Sequence, residues 1–351
     1  MASSFDPNNV NLDTVDPAEV VCYLSASGND YNGHLGARIS SIFVIFAVST
    51  AATFFPVIAR RVPSLKIPLY VYLFARYFGT GVIVATAFIH LLDPAYAEIG
   101  PNTCVGMTGN WAVYSWPPAI ALTSTIVVFL MDFGAELYVE SKYGVSRVDP
   151  AATIVQGDHP SQTISTGEIP SGKSAAWDVE TLDSTEAERS FRQQIAAFLI
   201  LEFGVIFHSV IIGLNLGVVG SEFATLYPVL VFHQSFEGLG IGARMSAIPF
   251  KQKSWMPWML CLAYGLTTPI SIAIGLGVRT TYNPNSNTAN IVSGVLDSTS
   301  AGILLYTGLV ELLARDFLFS PQRTNDKKQL TFMIVCTLLG TGIMALLGKW
   351  A

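Results

Sequence analysis

Two short runs hold side chains that could grip a metal ion: Glu202-Phe-Gly-Val-Ile-Phe-His208-Ser209-Val-Ile-Ile-Gly213 and His233-Gln234-Ser235-Phe236-Glu237-Gly238. Both lie in apolar surroundings. Imidazole or carboxylate placed in hydrocarbon is costly, and persists mainly where it faces a polar pathway or holds an ion. His233 and Glu237 are four residues apart, so a helix sets them on one face, one turn apart. Two imidazoles and a carboxylate match the ligand set of a borderline divalent ion such as zinc. Nitrogen ligands disfavour Mg2+ and Ca2+ but do not by themselves separate Zn2+ from Fe2+. Ser209 and Gln234 adjoin these ligands and are placed to hydrogen-bond the groups or water around them.

Depth can be read from helix rise. At 1.5 Å per residue, His208 lies roughly 16 Å from the end of its run, and His233 and Glu237 roughly 15 and 21 Å from the start of theirs. The three meet near one level, as a shared transport site requires. His90 and Asp93 close an earlier run, where an arriving cation could pause at the entrance. Asp132 and Glu202 belong to the opposite half and are expected to pair with Arg76 or another basic residue; Asp316, beside Arg315, is expected at a solvated end. A His–Glu pair also suits a proton relay, so a proton-coupled carrier of an organic solute is the rival reading. A metallohydrolase is disfavoured, because no His-Glu-x-x-His run occurs.

The elements that must position these residues are long and apolar. Hydrophobic residues make up 51% of the 351 and charged residues 13%, against about a quarter charged in a soluble domain. Eight runs have the roughly twenty-residue length that crosses a bilayer as helix: near 36–58, 68–92, 117–139, 194–219, 223–248, 255–279, 291–315 and 330–349. The expected fold is all-α, a polytopic membrane protein of eight transmembrane helices. The chain divides into an extracellular segment 1–33, helices one to three in 34–140, a cytoplasmic loop 141–191 and helices four to eight in 192–351. The loop is rich in Ser, Thr, Gly, Pro and acids and poor in aromatics, so it is expected to be disordered.

Fifteen of the nineteen Lys and Arg fall on one side of this arrangement, among them Arg60, Arg61, Lys251, Lys253, Lys327 and Lys328; the other side holds Arg38, Arg279 and Lys349. The positive-inside bias then places both termini outside. The first 33 residues lack the basic and apolar parts of a cleaved leader, so the first span is expected to serve as the insertion signal. Cys22 and Cys104 both fall in outward segments, on the oxidising side, and are expected to pair; Cys261 and Cys336 lie in spans and read as buried thiols. Gly-rich stretches mark spans two, four, five and six, and let helix backbones approach closely.

At these residues the chain resembles the ZIP (Zrt- and Irt-like) family of zinc and iron importers, and is most similar to fungal plasma-membrane members. The two opening runs, continued as Gly213-Leu-Asn-Leu-Gly and Gly238-Leu-Gly-Ile-Gly-Ala-Arg, look like the family's fourth- and fifth-span signatures. Gly79-Thr-Gly-Val-Ile-Val-Ala-Thr-Ala-Phe-Ile-His90 resembles its second span, and Gly348-Lys-Trp-Ala the fungal C-terminus. The resemblance implies zinc import into the cytoplasm, metal bound between spans four and five, and an elevator-like motion of spans one, four, five and six against two, three, seven and eight. Iron(II), or a broader range of divalent metals, is the alternative cargo. Two departures stand out: Ile212 and Gln234 occupy positions where binuclear members carry acids, so a second bridging metal is not expected. The long loop has only His159, which argues against a strong zinc-sensing segment. The expected partners are the zinc ion and the lipid bilayer, with a homodimer as the assembly considered, no nucleic acid, and no cofactor apart from the transported ion. The expected location is the plasma membrane.

Overall fold

The computed structural model describes residues 6–11, 13–25, 31–143, 174–251, 253–320 and 323–350, and every regular element among them is helical. A short α1 (Pro17–Ser25) precedes α2 (Leu35–Arg61) and α3 (Leu69–Ala85). A π-helical turn, Thr86–Leu92, carries α3 into α4 (Asp93–Ile99). Then come α5 (Trp116–Tyr143), α6 (Ser174–Val218), α7 (Phe223–Ala247), α8 (Met256–Val278), α9 (Asn287–Tyr306), a π-helical continuation Thr307–Phe319, and α10 (Lys327–Leu347). Local sequence sets several of the ends. Ser286 accepts from the Ala289 amide to start α9, and Asp326 accepts from the Lys328 amide to start α10. Pro257 occupies the first turn of α8, where its missing N–H costs nothing.

The eight expected runs all appear as long helical segments, but six are long and apolar enough to cross a membrane: Leu35–Arg61, Leu69–Ile99, Trp116–Tyr138, Phe191–Val218, Met256–Val278 and Lys327–Leu347. The remaining two, α7 and α9, are diluted by polar residues that point inward. Buried His233, Gln234 and Glu237 lie on α7, and buried Ser293, Asp297, Ser298 and Ser300 on α9. Large apolar side chains such as Phe43, Leu122, Ile270 and Leu338 face outward instead. This inversion marks a multi-pass membrane protein. α6 begins at Ser174, well ahead of the expected start near 194, while residues 144–173 of the expected disordered loop lie outside the described residues.

The chain forms two compact units, 1–129 with 197–351, and 130–196. The second comprises the last part of α5, with Asp132, and the first part of α6. Within the first unit, two apolar clusters can be told apart. Ile45 of α2, Leu216 of α6, Leu226 and Leu230 of α7 and Ile272 of α8 form one. Leu73, Tyr77, Phe78 and Val82 of α3 with Met333, Cys336 and Met344 of α10 form the other. The two meet along a seam where α3 and α7 cross at Gly79 and Gly240, so closely that a side chain on either would strike the other's backbone.

Arg38 is fully buried in α2 and donates to the last carbonyls of α6, to Leu216 O (3.1 Å), Gly217 O (3.3 Å) and Val219 O. It thereby satisfies the orphan acceptors at that helix end. Cys22 of α1 and Cys104 are joined as a disulfide, with Cα atoms 4.6 Å apart.

Candidate functional site

α6 and α7 set His208 and His233 face to face, Nε2 to Nε2, 3.2 Å apart. Both rings are buried. Two nitrogens on one tetrahedral zinc, each about 2.0–2.1 Å away, would stand about 3.3 Å apart. One turn along α7, Glu237 places Oε2 3.8 Å from His233 Nε2 and is itself fully buried. Among the described residues, no three His, Cys, Asp or Glu side chains stand as a ready-made metal cage. The histidines are at ligand spacing, and Glu237 Oε2 stands about half an ångström beyond that spacing from His233.

Tyr264 of α8 holds the carboxylate in place. Its hydroxyl lies 3.3 Å from Glu237 Oε2, 3.0 Å from Gln234 Oε1 and 3.2 Å from Gln234 O. A single O–H serves these acceptors in turn. Several buried atoms beside it have no protein hydrogen-bond partner: Ser209 Oγ, His233 Nδ1, Gln234 Nε2 and Glu237 Oε1. Each costs about 1–3 kcal/mol when left unmade. The strip is therefore a polar lining inside an apolar bundle, suited to a partly hydrated cation.

His90 arrives from the π-helical turn, a distortion that recurs at functional sites. Its ring centroid stands 4.8 Å from that of His233, and its Nε2 lies 3.1 Å from Met344 O on α10. A carbonyl only accepts, so Nε2 carries the proton and Nδ1 keeps a lone pair. His90 thus lies against the histidine pair, while Asp93, three residues on, is exposed at the rim. A cavity of about 210 Å3 runs from Asp93, Pro94 and Gly348 down to His90 and His208.

Further along α7, on the side facing α3, the packing is tight. Arg76 of α3 grips Asp316 through two nitrogens, Nη2 at 2.8 Å and Nε at 3.1 Å. Arg244 of α7 stands 3.8 Å from Glu311 Oε2 and 4.0 Å from Asp316 Oδ1, and Arg315 pairs with Glu311. The space among Arg76, Thr80, Gly240, Arg244 and Asp316 is too tight for a water. This corrects two expectations. Arg76 pairs with Asp316, so Glu202 does not gain it as a partner, and Asp316 is largely buried instead of solvated. The cause is tertiary, because the π-helical continuation of α9 turns Asp316 toward α3. Glu202 is buried, and neither of its oxygens has a hydrogen-bond partner.

Sequence reasoning missed Tyr264, Glu98 and Asp297. Asp297 could have been found by the argument that singled out Glu237, since it is the one acid between Asn287 and Tyr306. Tyr264 carries no such signal.

An outwardly apolar helical bundle, with two opposed buried imidazoles, a carboxylate one turn away and a cavity that reaches His208, defines a multi-pass membrane transporter for a cation. The chain belongs to the ZIP zinc transporter family, whose profile matches residues 35–348, and it is accordingly a transporter and not an enzyme. It is 58% identical to Zinc-regulated transporter 1 of Saccharomyces cerevisiae over 365 residues, covering 99% of this chain and 97% of that protein. It is 40% identical to Zinc-regulated transporter 1 of Schizosaccharomyces pombe (97% and 92% covered) and 34% identical to Zinc-regulated transporter 2 of S. cerevisiae (93% and 96%).

Proposed function

We propose that this chain imports zinc across the plasma membrane into the cytoplasm, one ion at a time, on His208, His233 and Glu237. The observation that carries the reading is the pair of buried imidazole Nε2 atoms 3.2 Å apart, with a carboxylate one turn away. The fungal relatives named as zinc-regulated transporters favour zinc over iron(II) as the cargo. His90 and Asp93 line the approach, and Ser209 and Gln234 lie at the edge of the binding strip. Ile212 and Gln234, where a second ion would need acids, support a single metal.

In this reading α7 and α9 also span the bilayer, giving eight spans, and both termini lie outside, as the sorting of basic residues supports. A cation enters from the terminal face, sheds water in the cavity and exchanges it for the two imidazoles and Glu237. Release requires α2, α6, α7 and α8 to move as one body against α3 and α10. The separate apolar clusters and the glycine seam between α3 and α7 support such an elevator-like step. The Arg244 contacts to Glu311 and Asp316 would then part as the opposite side opens.

Expression in cells lacking zinc uptake, followed by metal accumulation, tests the assignment. Zinc should accumulate in preference to iron; preferential iron accumulation would overturn the choice of cargo.

A further inference from the structure

The cavity above His208 contains more negative charge than passage to the histidines needs. Glu98 of α4 and Asp297 of α9 both line it, together with Asn215, His90 and Asp93. Asp297 is 3% exposed, and its Oδ1 has no hydrogen-bond partner; the same holds for the buried Oε2 of Glu98. No Lys or Arg is among the residues that line the space. A buried carboxylate oxygen with no donor or cation is disfavoured in a low-dielectric setting, and two such oxygens face one cavity here. α4 and α9 are packed tightly there, Ile99 filling the notch at Gly294, which holds the two acids on facing walls of the cavity.

We propose that Glu98 and Asp297 form a loading site that holds a divalent transition cation, still partly hydrated, before it reaches His208 and His233. Size agrees: the cavity, about 210 Å3, has room for an ion with several of its waters. Charge agrees too, since two carboxylates neutralise one divalent ion. Carboxylates that leave part of the water shell in place suit an ion that must be handed on. Asn215 can bond the remaining waters, and His90, with Nδ1 free, stands between this site and His233 as the first nitrogen the ion would meet. The loading site rests on the zinc-import reading and adds a step in front of it.

The test compares Glu98→Gln, Asp297→Asn, their double variant and Asp297→Glu, using zinc uptake kinetics at measured surface abundance. It is paired with equilibrium dialysis of zinc against the purified full-length protein. Each neutral variant should raise the half-saturating zinc concentration about tenfold while the maximal rate stays within about twofold. The double variant should be little worse than either single one, because one site is lost only once, and Asp297→Glu should restore most of the affinity. Dialysis should show one zinc equivalent fewer in the double variant. Unchanged half-saturation with unchanged stoichiometry would overturn the loading site, as would a loss of maximal rate alone. If the wild type binds zinc but does not accumulate it, the import reading fails, and the dialysis still decides whether Glu98 and Asp297 hold an ion.

Discussion

Replacing Tyr264 by Phe removes one oxygen and nothing else from the wall of the binding strip. The ring is 1% exposed and packed on all sides, so Phe should keep the fold. What is lost is the donor that fixes Glu237. A hydrogen bond to a charged group contributes about 1.5–3 kcal/mol, or roughly one to two decades in affinity. Here the hydroxyl is shared, lying 3.0 Å from Gln234 Oε1 against 3.3 Å from Glu237 Oε2. The loss should therefore fall at the lower end, about 1.5 kcal/mol, which is about tenfold. The assay is zinc uptake against external zinc concentration in uptake-deficient cells, normalised to surface protein. Tyr264→Phe should raise the half-saturating concentration about tenfold with a smaller change in maximal rate. An unchanged half-saturating concentration at equal surface abundance would refute the view that this hydroxyl positions the carboxylate.

Gly240→Val would press methyl groups onto the backbone of Gly79, an overpacking cost of about 1–3 kcal/mol; maximal uptake should fall severalfold while zinc binding to purified protein is kept, and normal uptake would remove the seam from the mechanism. Arg38→Ala strips the buried donors from three carbonyls at the end of α6 and should cost about 3 kcal/mol of stability, read as a lowered thermal midpoint in detergent; an unshifted midpoint would contradict the capping role. Thiol labelling of unreduced, unfolded protein should miss Cys22 and Cys104, and labelling of either would refute their bridge.

The helices themselves were legible because apolar runs of spanning length have few alternatives. The near-equal depth of His208, His233 and Glu237 was legible because rise per residue is a backbone constant. What sequence could not reveal was cross-helix partnership. Arg76 and Asp316 are 240 residues apart, and nothing local in either run announces the other. Arg38 reads as an outward charge by loop counting, yet it is a buried cap, because the end of α6 needs donors. Position near the end of its run puts His90 at the entrance. In the fold His90 sits on the π-helical turn with its ring against that of His233, a cross-helix contact no single run announces. The polarity of α9 is what kept Asp297 inconspicuous, since its serines make the run look like a weak span instead of the wall of a cavity.

The central claim is that zinc crosses on His208, His233 and Glu237. The most direct measurement is zinc uptake by purified full-length protein in sealed liposomes, comparing wild type with His208→Ala, His233→Ala and Glu237→Gln. Glu237→Gln keeps the shape and removes the charge that offsets the ion's desolvation, a loss of about 3–5 kcal/mol when a buried charge pair is broken. Wild-type vesicles should accumulate zinc, and all three variants should fall at least about a hundredfold in uptake. Wild-type uptake by Glu237→Gln, or transport of another solute without any transition metal present, would contradict the account.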